Sequence, residues 1–143
     1  KSIKLFAHSD VIILSIFQLI QHIPHSYFVE NGIKFDLLYA DLLKKLFEGA
    51  HLEKYHRAGI VLDARKHKGG ASVENEFRKD IENWLEIRFP HTRCTLQMVP
   101  SYVDVLVELA DFLSNSFYKE YQGEAEYISG QLSRRLIQIK NPL

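Results

Sequence analysis

Six residues, AGIVLD at 58–63, constrain the fold of this chain more than any other stretch. The run is short and continuously apolar, so it reads as a strand buried in the centre of a sheet. It ends on an acid, Asp63, and passes directly into the basic, glycine-containing loop ARKHKGG at 64–70. Ser72 then caps an amphipathic helix to about Arg88, with Phe77, Ile81, Trp84 and Leu85 inward, and Pro90 stops it. CTLQMV at 94–99 is a further strand. Strand, helix and strand in succession predict parallel pairing.

The remaining chain extends the alternation. SIKLFA at 2–7 alternates as a short strand, and residues 8–10 supply a turn and N-cap. Residues 11–23 continue as an apolar helix that Pro24 terminates. HSYFVENGI at 25–33 reads as a strand bent at Asn31-Gly32. Asp36 caps a helix over 37–48, whose apolar side is Leu38, Leu42 and Leu46 with Tyr39, Leu43 and Phe47, and Gly49 stands at its C′ position. A last helix is expected over 124–139, with Arg134 and Arg135 near its end. The expected class is α/β, a mixed sheet flanked by helices, in one domain over 1–143. Right-handed crossovers bring the carboxyl ends of the strands to one edge, where such folds build their sites.

The helix that follows, over 100–123, carries the sharpest polar pattern. Pro100 and Ser101 open it and Gly123 closes it. Val105, Leu106, Leu109, Ala110, Phe112, Leu113, Ser116 and Phe117 cover more than half its circumference, which predicts a mostly buried helix. Asp104, Glu108, Asp111 and Asn115 form one narrow stripe at i, i+4, i+7 and i+11. Carboxylates stacked a turn apart repel, and a cation in front of them removes that cost. The plainer reading is the wet side of an amphipathic helix.

Composition limits the classes open to the chain. Its 143 residues are 46% hydrophobic and 25% charged, enough for a packed core and unlike a disordered chain. Lys+Arg and Asp+Glu both count 18, so any nucleic-acid site has to be a local patch. The lone Cys94 excludes an internal disulfide framework, and no apolar run is long enough to span a bilayer. A cytoplasmic protein without a membrane partner is expected. The chain begins at Lys1, not methionine, which leaves room for an upstream segment.

Asp63 sits where a strand's last residue meets the functional edge. Facing carboxylates from a neighbouring helix, it has the chemistry to hold Mg²⁺ or Mn²⁺, hard cations that take oxygen ligands. Two such ions about 4 Å apart stabilise the attacking and leaving oxygens of a phosphodiester hydrolysis. The alternative is a turn or N-cap aspartate. Arg65, Lys66 and Lys68, with His67 among them, are placed to steer phosphate towards Asp63, or else form a solvated turn. The loop lacks the phosphate-cradling GxxxxGK[ST] frame. The seven histidines have no zinc spacing, and Cys94 reads as a buried strand thiol.

The strand ending IVLDAR at 60–65, a helix, another strand and a helix containing ELADF at 108–112 together resemble the C-terminal part of the domain-of-unknown-function-3800 family. Those bacterial, archaeal and phage proteins have a ribonuclease-H-like fold, and the resemblance spans about residues 1–131. It implies a metal site of Asp63 and Asp111, assisted by Asp104 or Glu108, with Asp63, Asp111 and Glu108 as the catalytic set. Glu108 stands where the family usually has glutamine. The family's Asp-Glu-Ser strand, source of a central metal-binding aspartate, has no counterpart before residue 11, and Glu30 is the only visible substitute. Either that strand lies upstream of Lys1 or the chain is a member that has lost catalysis. The functional expectation is a divalent-metal-dependent nuclease or phosphodiester hydrolase acting on nucleic acid. The alternative is a non-catalytic module on the same fold, whose apolar-rich final helix binds a partner or self-associates into a homo-oligomer. A small-molecule pocket at the strand ends is allowed by the fold alone.

Overall fold

A computed structural model describes residues 11–64, 70–123 and 136–143. Strand β1 (Ile13–Phe17) leads through two 3-10 turns to a small antiparallel hairpin, β2 (Phe28–Val29) and β3 (Gly32–Ile33). Helix α1 (Phe35–Gly49), strand β4 (Arg57–Asp63), helix α2 (Ala71–Arg88) and strand β5 (Arg93–Val99) follow. Helix α3 (Val105–Tyr121) and strand β6 (Leu136–Lys140) complete a mixed α/β chain. None of the helices among the described residues is long and apolar enough to cross a membrane.

The parallel unit expected around 58–63 is present. β4 and β5 pair in parallel from Arg57↔Arg93 to Asp63↔Val99, and the Ala64 N–H extends the ladder to the Val99 carbonyl at 2.7 Å. The strand is not buried on both faces, however. Ala58, Ile60 and Leu62 face the core, whereas Arg57, Gly59 and Val61 are exposed. On β5, Cys94, Leu96 and Met98 join that core, and Arg93, Thr95 and Gln97 are exposed. The apolar run suggested a two-sided strand because Gly59 and Val61 continue it, yet they lie on the open face. Cys94 is half-buried in this layer, and burial pushes its thiol pKa up, away from an activated nucleophile.

Two expected helices are corrected to strands. Residues 11–23 hold β1, and 136–140, the end of the expected last helix, hold β6. They pair in parallel from Ile13↔Leu136 to Phe17↔Lys140. Ile13, Leu14, Ile16 and Phe17 have helices on either side, so the run is apolar without a two-residue period, and stiff β-branched Ile13 and Ile16 suit the pleat. The expected strand over 2–7 and the helix over 124–135 lie outside the described residues.

Helices cover both faces of this pair. On one face, Leu14 and Ile139 approach α1 so closely that a Cβ on Gly49 would stand 2.8 Å from Ile139 Cδ1 and 3.4 Å from Leu14 Cδ2. Gly49 therefore lies in close contact with two side-chain tips and is not the left-handed end of the helix; that conformation falls on His51, with φ 53°. On the other face, Ile13 and Leu136 pack with Leu109, Leu113 and Phe117 of α3, and the Phe17 and Tyr121 rings lie 5.9 Å apart.

The main core joins Ala40, Leu43 and Phe47 of α1 to Leu62 and to Phe77, Ile81, Leu85 and Phe89. The Tyr39 and Phe77 rings stack at 5.4 Å, and the Trp84 ring meets Phe89 edge-on at 5.7 Å. Among the helices, α3 departs from its predicted burial: Val105, Leu106 and Phe112 are exposed, and Val107, Leu113 and Ser116 are buried. Its apolar arc is wider than the two-stranded sheet on which it rests.

Two polar contacts fix the periphery. Thr92, buried, donates its hydroxyl to the Leu52 and Tyr55 carbonyls at 2.9 and 2.8 Å, tying the loop before β4 to the start of β5. Thr92→Val leaves that loop without its donor and should cost about 1–2 kcal/mol in urea unfolding. Tyr27 donates its hydroxyl to Asp41 at 2.6 Å, anchoring the hairpin on α1. Burial first, then the hydrogen bond to Asp41 and its charge, push the phenol from 10.0 up to about 12. The folded state thus favours the neutral phenol. Its contribution is complete below pH 10 and is lost as pH rises through about 12. Unfolding curves over that interval should fall more steeply for the parent than for Tyr27→Phe.

Candidate functional site

Asp63 is the last residue of β4, half-buried, at the carboxyl edge of the parallel pair. From its register partner Val99 the chain runs through Pro100 and a 3-10 turn (Ser101–Val103) to Asp104 and α3. Asp63 and Asp104 are therefore brought to the same edge, and α3 lies against β4. The helix opens at Val105, not at Pro100, because Asp104 supplies the cap: its Oδ1 accepts the Leu106 and Val107 N–H groups at 2.9 and 3.1 Å.

Beyond the cap, Glu108 and Asp111 line one open groove of about 500 Å³ with Phe112, Asn115, Ser116 and Lys119. Asp111, Asn115 and Lys119 follow at i, i+4 and i+8, so the polar stripe runs one turn further than Asn115 and ends in a cation. Lys119 was missed in the sequence, although the same four-residue step identifies it. Ser116 and Phe112 were assigned to an apolar side, yet both reach the groove. The Ser116 hydroxyl is turned back onto the Phe112 carbonyl at 2.9 Å, a local bond that keeps it from an orphaned state.

The electrostatics of the column are largely answered from within the helix. Asp104 and Glu108 lie at the N-terminal end, where free N–H groups and the macrodipole favour negative charge. Lys119 supplies a positive group farther along the groove. The stripe alone thus does not demand a cation.

Among the described residues, no group of three His, Cys, Asp or Glu converges in metal-binding geometry. Glu108 and Asp111 share a groove, and one or two carboxylates are what Mg²⁺ takes when water and substrate phosphate complete its shell. Asp63 is not part of that groove's lining. Glu30 stands at the exposed tip between β2 and β3. Arg65, Lys66 and Lys68 lie outside the described residues.

No family model matches the chain, and no curated protein or solved structure matches it either. What fold and site define together is a mixed α/β protein with an acidic helix rising from the carboxyl edge of a parallel strand pair. The role of Asp104 is separable from that of its neighbours. Asp104→Ala should cost about 1 kcal/mol through the lost cap, whereas Asp104→Asn should stay within a few tenths, both read from urea unfolding.

Proposed function

We propose that this chain is a divalent-metal-dependent phosphodiester hydrolase of the ribonuclease-H-like type, in keeping with its resemblance to the domain-of-unknown-function-3800 family. The observation that carries the reading is the shared edge. β4 ends on Asp63, the adjacent strand leads directly to Asp104, and Glu108 and Asp111 follow on the helix that lies against β4.

In this reading Asp63 and Asp111 bind Mg²⁺ or Mn²⁺ and Glu108 orients the attacking water. Asp104 stays with its cap and adds no third ligand, since no three such residues converge among the described ones. The bound ions, when present, stabilise the attacking and leaving oxygens of the displacement. Lys119, in the groove with Asp111, suits a phosphate oxygen, and Arg65, Lys66 and Lys68 are candidates for the same task.

Calorimetric titration with Mn²⁺ tests the reading, together with cleavage of end-labelled oligonucleotides. Asp63→Asn and Asp111→Asn should each abolish ion binding and lower cleavage on the order of 100-fold. Ion binding that survives both substitutions, or a parent that neither binds Mn²⁺ nor cleaves, rejects the hydrolase.

A second reading, a self-associating module without catalysis, is favoured by one specific observation. Tyr102, Val105, Leu106 and Phe112 are 84%, 66%, 66% and 45% exposed, an apolar surface unusual for a chain acting alone. Light scattering that returns a monomer at high protein concentration rejects it.

A further inference from the structure

At the opposite end of β4 from Asp63, the chain collects positive charge. Arg57 and Arg93 are direct cross-strand partners, and both are exposed on the open face. Like charges in register repel. No ion pair of either guanidinium with an acid is found among the described residues. The Thr92 hydroxyl, bonded to the Leu52 and Tyr55 carbonyls, and the Arg93 N–H, bonded to the His56 carbonyl at 2.8 Å, hold the two strand starts together. Lys54, His56 and His91, all exposed, belong to the same edge, as does the exposed Glu53, which is held by His51 at 3.1 Å. Tyr55, 57% exposed, stands among them.

The face between the two ends is shaped for close contact. Gly59 and Thr95 are register partners at its middle, with Val61 and Gln97 next along. A Cβ on Gly59 would meet Thr95 Oγ1 only at 3.8 Å, so neither crowding nor, on its φ, backbone strain requires glycine here. A strand glycine without such a need leaves the backbone open to close approach by a ligand. From Arg57 to Asp63 the face runs for about 20 Å.

We infer that the open face of the β4–β5 pair binds a single-stranded nucleic acid, entered at the Arg57–Arg93 pair and passing over Gly59 towards Asp63. Charge complementarity selects a polyanion, because the repelling guanidinium pair is relieved by a phosphate placed between its two forks. An exposed aromatic ring beside cationic side chains selects a strand with unstacked bases over a duplex. Thr95 and Gln97 offer hydrogen bonds that suit any base. The binding stands on this geometry alone; the direction towards Asp63 rests on the hydrolase reading and names its substrate class.

The test is fluorescence anisotropy with a short labelled oligothymidylate in EDTA, so that binding is read without cleavage. Arg57→Ala and Arg93→Ala should each weaken binding about tenfold. Each should also flatten the dependence of log K on log salt by about 0.7. Gly59→Val, which a strand accommodates, should weaken it as well by filling the floor. Lys79→Ala, exposed on α2 across the core, should change nothing. The unfolding transitions of all four variants establish that each is folded. The inference is overturned if the parent does not bind, if the arginine and glycine variants bind as the parent does, or if polyglutamate displaces the probe as well as unlabelled oligonucleotide. Binding in EDTA without Mg²⁺-dependent cleavage retires the hydrolase and retains the surface. Cleavage that the arginine substitutions leave unchanged retires the surface and retains the hydrolase.

Discussion

Helix α1 is gripped from two directions, and the remaining layers take their places from it. Its Ala40, Leu43 and Phe47 enter the core shared with α2 and the β4–β5 pair, while its last turn meets the β1–β6 pair at Gly49. From Leu38 to Gly49 only Lys45 is exposed. A side chain at Gly49 would meet the tip of Ile139 first, which would have to turn aside. Surface charges add little to this arrangement. Lys44 reaches Asp80 at 3.0 Å and Arg88 reaches Glu48 at 3.6 Å, pairs at the protein surface whose attraction water partly screens.

Much of this was legible in the residues, and the misses have physical causes. The βαβ unit from Arg57 to Val99 was readable because its helix is periodic, its strands are short and Pro90 separates them. β1 was not, because a strand covered on both faces has no alternation; Ile13, Leu14, Ile16 and Phe17 suit a buried helix equally well. β6 follows an arginine pair and, at five residues, offers too little pattern to displace a helix. The burial of α3 was overestimated for a different reason: periodicity reveals how wide an apolar arc is, not how much surface is available to cover it. At the site, the column from Asp104 to Asn115 was visible, but its division into a cap and a groove, and its continuation to Lys119, depend on where the helix begins.

The β4–β5 face also shows how a chain with no net charge can gather like charges locally. Arg57 and Arg93 stand together where the two strands begin, at the opposite end of β4 from Asp63 and the basic residues that follow it, an arrangement set by the register. Parallel pairing creates it. Antiparallel strands would have placed Arg57 beside the end of β5.

Strand β6 closes on β1 across nearly the whole chain. The Leu19 N–H donates to Asn141 Oδ1 at 2.8 Å, the Asn141 N–H donates to the Phe17 carbonyl at 2.9 Å, and the two residues of the first bond are 122 positions apart. Asn141 takes the left-handed backbone, φ 49°, that its side chain tolerates better than most. Such a contact repays its loop-closure entropy only after the intervening helices have compacted the chain. The βαβ unit closes a far shorter loop, so its closure costs less chain entropy than that of the β1–β6 seam, which has to be held by the packing of α1 and α3 on either side of β1.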